Sequence, residues 1–225
     1  MIRMMRTFAL VALWLFVGGT ASAQIGLVGP EEVVIYVHKD MKNTDFVEGL
    51  VCELGRVLVA PVRAETSDLP LYRGYLATPA QLDVGKVREP FARATAGDGR
   101  VFRYLLLPYD LKVEGLNYVF ANTDIDGGTV AIMSTIRLTP AEPGLSRKQV
   151  SDVTGDRLYK LMLKSVALLG GLRTNGCVMA FPRNLPELDQ KAAEFCPDDR
   201  AALVAAGILK DKPFGACSTV AMAGR

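Results

Sequence analysis

The sequence predicts an α+β domain in which a mixed β-sheet is followed by a helical C-terminal part. Three observations support this fold class. Strand-like and helix-like segments alternate in the first half of the chain, a glycine-containing turn joins two strands near the middle, and only helical patterns follow. Domains with this order of segments pack their helices on a mixed sheet around one hydrophobic core.

The first half of the chain contains the segments that begin the sheet. Val33 to Val37 is an uninterrupted apolar, β-branched run and predicts a buried strand. Phe46 to Leu54 carries apolar residues at helical spacing, and Val57 to Val62 predicts a second strand. Two prolines and a glycine predict a loop over residues 67–79, and residues 80–95 have helical character.

The middle of the chain predicts a strand and a hairpin. Val101 to Leu107 reads as a strand that ends before Pro108. Asn117 to Ala121 and Thr129 to Ile136 predict two further strands. The segment 122–128 between them ends in two glycines, which adopt the positive φ angles of a tight turn without steric cost.

The remainder of the chain predicts helices. Ser146 and Gln149 have the spacing of a capping box, so a helix is expected from about Arg147 towards Leu169, with the two glycines that follow as its end. Pro186 predicts the start of another helix, and Pro197 suits the first position of a third.

The N-terminus has the pattern of a secretory signal peptide. Arg3 and Arg6 precede an apolar run from Phe8 to Val17, and Ala21-Ser-Ala23 supplies small residues for cleavage. The ten-residue run is too short to cross a membrane as a helix. We therefore expect a signal peptide over residues 1–23 and a single domain over residues 24–225 that is exported, periplasmic or secreted, with no membrane span after cleavage.

Charge argues against a nucleic-acid partner. Removal of Arg3 and Arg6 from the 26 basic residues leaves 24, which equals the 24 acidic residues. A balanced chain lacks the basic excess that is typical of nucleic-acid-binding domains.

The counts of cysteine and histidine restrict the chemistry further. Four cysteines in an oxidising compartment allow up to two disulfides, with three possible connectivities. The chain contains one histidine, His38, and a zinc site with three imidazole ligands cannot be built from one.

Residues 104–138 resemble the core of the archaemetzincins, a family of metzincin-type zinc peptidases. The resembling segments are Leu-Asn-Tyr-Val-Phe-Ala, the glycine turn, and the strand that leads to Arg-Leu. Cys177-Val-Met179, Asp189-Gln-Lys191 and Phe195-Cys196 follow in the family's order. The resemblance spans roughly residues 33–203. It implies a zincin-like fold, with a mixed sheet and an active-site helix.

The family's zinc motif, H-E-x-x-H-x-x-G-x-x-H, is absent. Aligning Gly171 with its glycine puts Lys164 and Leu168 at the first two histidines, Ser165 at the glutamate and Thr174 at the third histidine. Two imidazoles one helical turn apart and a carboxylate beside the bound water are what such a peptidase needs. The resemblance therefore implies an inactive zinc peptidase, a pseudoenzyme, with no cofactor and zinc lost.

The resemblance also suggests roles for the cysteines and for one methionine. Cys177 and Cys196 match ligands of a second zinc in the family, and we expect them to form a disulfide instead. Cys52 and Cys217 are the candidate second pair. Met179 corresponds to the family's methionine turn, and a plain core role is expected for it.

Three functions remain open. The first is a non-catalytic protein that holds an extended peptide against an edge strand. That strand is expected to comprise Thr129, Val130, Ala131, Ile132, Met133 and Ser134. The second is a structural or assembly role in the cell envelope. The third is a peptidase or other hydrolase with an unrecognised site that includes acids such as Asp110, Glu114 and Asp189.

Overall fold

The computed structural model describes residues 26–217. The expected signal peptide, residues 1–23, lies outside the described residues. Within them, no helix combines the length and the apolar character needed to cross a membrane.

Eight strands and five α-helices make up the described part of the chain. The strands are β1 (Glu32–His38), β2 (Val62–Ser67), β3 (Leu76–Thr78), β4 (Gln81–Asp83), β5 (Val101–Leu107), β6 (Asp110–Lys112), β7 (Ala121–Thr123) and β8 (Val130–Ser134). The helices are α1 (Phe46–Val57), α2 (Val84–Ala94), α3 (Arg147–Leu169), α4 (Leu185–Gln190) and α5 (Pro197–Ala205). Short 3₁₀ helices occupy Arg73–Tyr75 and Cys177–Met179.

The main sheet has five strands in the order β2-β1-β5-β8-β7, and it is mixed as the sequence predicts. β1 pairs in parallel with β2 and β5, β5 pairs in parallel with β8, and β7 runs antiparallel to β8. The apolar runs of β1 and β5 are buried because helices and a second sheet cover the two faces. That second, three-stranded sheet has the order β3-β4-β6.

Two hydrophobic clusters lie on opposite faces of the main sheet. The larger contains residues of α1, α3 and the C-terminal helices, with Ile35, Tyr104 and Met133 from the sheet. The smaller contains Phe91 of α2, with Leu105 and Ile132. Because side chains alternate along a strand, neighbouring residues of β5 and β8 supply both clusters.

α3 is the long central helix that the capping box predicts. The Ser146 side chain accepts a hydrogen bond from the Gln149 backbone, and the Gln149 side chain accepts one from the Ser146 backbone. The helix ends at Leu169, and Gly171 takes the left-handed φ of +101° that other residues avoid. The sequence therefore predicted both ends of this helix correctly.

The expected strand over Val57–Val62 is wrong. The apolar face of α1 continues through Leu54, so the helix ends at Val57, and the strand begins at Val62. β2 was missed because it is an outer strand whose residues are mostly exposed and polar, without the alternation that marks a half-buried strand.

The expected loop and helix over residues 67–95 also differ from the structure. A 3₁₀ helix and the short strands β3 and β4 occupy part of this region, and α2 begins only at Val84. The Asp83 side chain accepts hydrogen bonds from the backbones of Gly85 and Lys86, and this cap fixes the start of the helix.

The edge-strand prediction is wrong. The predicted edge strand includes β8, which lies between β5 and β7 and is buried throughout. The residues of that prediction are Thr129, Val130, Ala131, Ile132, Met133 and Ser134. The edge strand on this side of the main sheet is β7, which is shifted towards the turn from the predicted segment Asn117–Ala121. A hairpin pattern shows that two strands pair, but the order in the sheet depends on which of them contacts the distant β5.

Candidate functional site

Three of the four family positions lie on α3, and their side chains have different surroundings. Ser165 is buried, and its hydroxyl is hydrogen-bonded to that of Thr123 across 2.8 Å. The Lys164 side chain is partly buried, with its Nζ 3.4 Å from the Ala180 carbonyl oxygen and 5.2 Å from the ring centre of Phe181. Burial lowers the pKa of the Lys164 ammonium.

The remaining positions do not complete a catalytic group. Leu168 is partly buried beside Lys164. Thr174 is exposed and donates a hydrogen bond to the Asp199 carboxylate at 2.9 Å. The structure thus brings Lys164 and Leu168 to one surface and holds Ser165 beneath β7. Thr174 is instead hydrogen-bonded to Asp199 of α5.

Lys164 and Leu168 face a groove with a volume of about 410 Å³. One wall is β7 with the segment that precedes it, a second is α3, and a third is the segment that follows the 3₁₀ helix Cys177–Met179. The lining residues are Leu116, Asn117, Tyr118, Val119, Phe120, Ala121, Asn122, Thr123, Ile125, Leu161, Lys164, Leu168, Phe181, Pro182 and Arg183.

The outer edge of β7 faces this groove. The Phe120 carbonyl accepts a hydrogen bond from the Ser134 backbone, and the Asp124 backbone donates one to the Val130 carbonyl. Phe120 and Asp124, which flank β7, therefore bond inwards to β8. Alternate residues of an antiparallel strand bond to opposite sides. The backbone groups of Ala121 and Thr123 therefore point away from the sheet, in the position from which an added strand would be bound.

The 3₁₀ helix Cys177–Met179 packs against α3. Met179 is buried in the large hydrophobic cluster, together with residues of α3. The Val178 backbone donates to the Glu194 carbonyl at 2.8 Å, which ties this turn to the segment before α5.

Two disulfides are present, and they join the pairs expected from the sequence. Cys177–Cys196 links the 3₁₀ helix to the start of α5. Cys52–Cys217 links α1 to the C-terminal segment.

A cluster of cations lies next to the groove, and sequence analysis did not single it out. Lys160 and Lys164 are one helical turn apart on α3, and Lys191 directly follows α4. The Lys191 side chain is only 8% exposed. The i, i+4 spacing of the first two lysines was visible in the sequence, whereas the burial of Lys191 depends on how α4 packs against α3.

The acids proposed for an alternative hydrolase are held in separate ion pairs or exposed. Asp110 accepts two hydrogen bonds of 2.6 Å from Arg137, and Asp189 accepts two of 2.7 Å from Arg157. Partial burial raises the pKa of Asp110, but the hydrogen bonds from Arg137 and Gln81 outweigh this effect, so the pKa is lowered. The Arg157 hydrogen bond likewise lowers the pKa of Asp189, and Glu114 is exposed.

His38 is buried at the end of β1. Its Nε2 is 2.9 Å from the Leu69 carbonyl oxygen, and its Nδ1 accepts a hydrogen bond from the Asp40 backbone. Both ring nitrogens are thus used to hold the chain.

Known proteins with similar sequences are archaemetzincins. The chain is 31% identical over 139 residues to an archaemetzincin of Halobacterium salinarum. This alignment covers 60% of this chain and 78% of the relative. The chain belongs to the archaemetzincin family. A second relative, the archaemetzincin of Archaeoglobus fulgidus, is 32% identical over 89 residues, or 39% of this chain and 50% of the relative. No protein-family model matches the chain.

Solved archaemetzincin structures have the same fold. The Methanopyrus kandleri archaemetzincin has a TM-score of 0.63 at 21% identity, covering 78% of this chain and 94% of that one. A zinc-dependent peptidase from Methanocorpusculum labreanum has a TM-score of 0.65 at 24% identity, covering 76% and 99%. The A. fulgidus archaemetzincin, solved with malonate, has a TM-score of 0.58 at 24% identity, covering 75% and 99%.

These comparisons correct the cofactor prediction. The expectation that no cofactor binds and that zinc has been lost is wrong, because the chain belongs to the archaemetzincins and one of its solved relatives is named a zinc-dependent peptidase. Absence of the motif does not establish loss of the metal.

The side chains at the four family positions nevertheless do not fit zinc. An ammonium, a leucine and two hydroxyls replace the three imidazoles and the carboxylate, and both hydroxyls are engaged in hydrogen bonds. Within residues 26–217 no three or more histidine, cysteine, aspartate or glutamate side chains are grouped so as to hold a metal ion. No chemical step through zinc follows from these positions.

Proposed function

We propose that this archaemetzincin is a non-catalytic member of its family that binds an extended peptide in the groove beside β7. The observation that carries the proposal is the groove itself, which has an outward-facing strand edge along one wall and α3 along the other. A cleft filled by side chains would have favoured the structural or assembly role.

The wall chemistry suits strand addition. A peptide beside β7 bonds to the backbones of Ala121 and Thr123, and its alternate side chains point into the groove. The apolar lining, which includes Leu161 and Leu168, shields those side chains from water. Phe181 is 63% exposed at the rim, where it provides an aromatic contact surface.

Two further observations argue against catalysis at this site. Lys164 and Ser165 do not form a nucleophile and base, because Lys164 lies over Phe181 whereas Ser165 bonds to Thr123. The alternative acids Asp110 and Asp189 each accept hydrogen bonds from an arginine, and their lowered pKa values make them weak bases.

Ala121→Pro tests the mode of binding. The Ala121 N–H points away from β8, so proline removes a donor for the added strand while the β7–β8 ladder keeps its hydrogen bonds. Fluorescence anisotropy with a labelled library of extended peptides should show binding to the wild type and at least about a tenfold loss in Ala121→Pro, from hydrogen bonding of about 1.5 kcal/mol.

Ala121→Ser is the matched control, because it keeps the backbone N–H at the same position. It should bind like the wild type. Absence of binding to every peptide would contradict the proposal and favour the structural or assembly role, and equal binding by the proline variant would contradict strand addition.

We also propose that residues 1–23 direct export and that residues 24–225 form the mature domain, in the periplasm or outside the cell. The two disulfides support this, because such bonds persist in oxidising compartments. N-terminal sequencing of the protein from expressing cells should begin at Gln24. A chain that begins at Met1 in the cytoplasm would contradict export.

A further inference from the structure

Lys191 is a buried cation without a visible counter-charge. Its side chain is 8% exposed, and its Nζ has no hydrogen-bond partner within residues 26–217. A buried ammonium is normally paired with an acid or hydrogen-bonded, because leaving water without compensation is costly. The Lys191 side chain therefore calls for an anionic partner or for loss of its proton.

The neighbouring lysine Lys160 is neutralised from within the protein. Its Nζ is 2.9 Å from the Asp156 carboxylate and donates to the Asp189 carbonyl at 3.0 Å. The Asp189 carboxylate itself bonds to Arg157. Asp156 and Asp189 are thus already engaged, so neither carboxylate is available to balance the charge of Lys164 or Lys191.

Lys164 is the cation that reaches the groove. Its only polar contact within the described residues is a long one, 3.4 Å to the Ala180 carbonyl. The groove lining contains a second cation, Arg183, and no aspartate or glutamate among the described residues. Arg183 is paired with Glu187 at 2.7 Å, so Lys164 is the lining cation without an acid partner in this part of the chain.

The charges of Lys164 and Lys191 act on each other. Burial, together with the charges of Lys164 and Lys160, lowers the pKa of Lys191 to about 7. An anion bound at Lys164 offsets the cost of partly burying its ammonium, and a partly buried site strengthens the attraction relative to water.

We infer that the groove selects peptides that present a carboxylate, which binds to Lys164. The inference rests on the proposed peptide-binding function and adds its specificity. The carboxylate belongs either to an aspartate or glutamate side chain or to the C-terminus of the peptide, since both offer the same acceptor chemistry.

The test compares four versions of one extended apolar peptide in anisotropy measurements. The peptide carries Glu or Gln at its centre, and each version has a free or an amidated C-terminus. The wild type should bind at least one carboxylate version about tenfold more tightly than the neutral Gln amide, as expected for one charge-assisted hydrogen bond. Loss on Glu-to-Gln exchange assigns a side-chain carboxylate, and loss on amidation assigns the C-terminus.

Variants connect the preference to Lys164. Lys164→Met should abolish the preference for the carboxylate peptides over the neutral Gln amide, and Lys164→Arg should keep it. Lys42→Met removes an exposed lysine outside the groove lining and should bind like the wild type.

The outcomes separate this inference from the proposed function. Equal binding of all four peptides by the wild type overturns the carboxylate preference and leaves peptide binding intact. Absence of any binding overturns both. The comparison of peptides on the wild type needs no variant, so it holds even if a lysine substitution prevents folding.

Discussion

At the scale of single residues, the buried Lys191 makes the stability of the protein depend on pH. Its pKa in the folded protein is about 7, against 10.5 for the free side chain, mainly because burial disfavours the charged form. Between these values the unfolded chain holds a proton that the folded chain lacks. The free energy of unfolding therefore rises with pH in this window, by at most about 1.4 kcal/mol per pH unit, and below pH 7 the cost of the buried charge is constant at its maximum.

Lys191→Met should remove this dependence. The variant is expected to be more stable than the wild type at pH 6, and its advantage should shrink as the pH rises from 7 to 9. Urea unfolding at several pH values measures both effects, with Lys42→Met as a control for the loss of one exposed charge. An unchanged pH slope would show that Lys191 is solvated in the folded protein.

The elements around the groove are held together by an ion pair between α3 and α4. Arg157, with 7% of its side chain exposed, donates to both oxygens of Asp189 and to the Leu138 carbonyl. Asp189→Asn removes the negative charge beside a buried guanidinium. We expect a loss of about 1–3 kcal/mol, less than for a fully buried pair because Asp189 is 44% exposed.

Urea unfolding at pH 7 checks this value. Asp152→Asn, which breaks the exposed pair with Lys148, is the matched control and should cost no more than about 0.5 kcal/mol. Arg157 lowers the pKa of Asp189, so the stabilisation is present above about pH 4 and is lost as the pH falls through the folded pKa. Equal losses in the two variants would contradict a structural role for the α3–α4 pair.

At the same scale, the sequence predicted those elements whose signals are local. The ends of α3 follow from Ser146, Gln149 and the terminal glycines, which act within one turn of the helix. β2 carries no such signal because its exposed residues do not alternate. The order of β8 and β7 depends on pairing with β5, which is distant in the chain, and no pattern within the hairpin encodes it.

At the scale of the whole molecule, the fold and the family were predictable from an ordered set of motifs, and the groove was predictable only in part. Lys164 and Leu168 were located by the helix motif, but the wall beside them was assigned to the wrong strand of the hairpin. The burial of Lys191 was not predicted, because it arises from the packing around α4, which a linear pattern does not report.

The proposed function predicts the behaviour of the intact protein towards peptides. Zinc is added because one solved relative is named a zinc-dependent peptidase. A mixture of fluorescence-quenched peptides should remain uncut, since the four family positions supply neither imidazole nor carboxylate. A zinc peptidase of known activity is the positive control, and metal content is measured on the same sample. Cleavage that a chelator stops would contradict the non-catalytic assignment.

The disulfide between Cys52 and Cys217 has a topological consequence. The bond joins two cysteines that are 165 residues apart in the sequence and so closes a covalent ring. This ring includes α3, the edge strand β7 and every wall of the groove. One backbone cut inside this ring leaves two pieces that remain joined, so a nicked molecule migrates as a single chain until it is reduced. In an environment that contains proteases, the protein can therefore suffer a first cut in a surface loop without releasing either half of its groove.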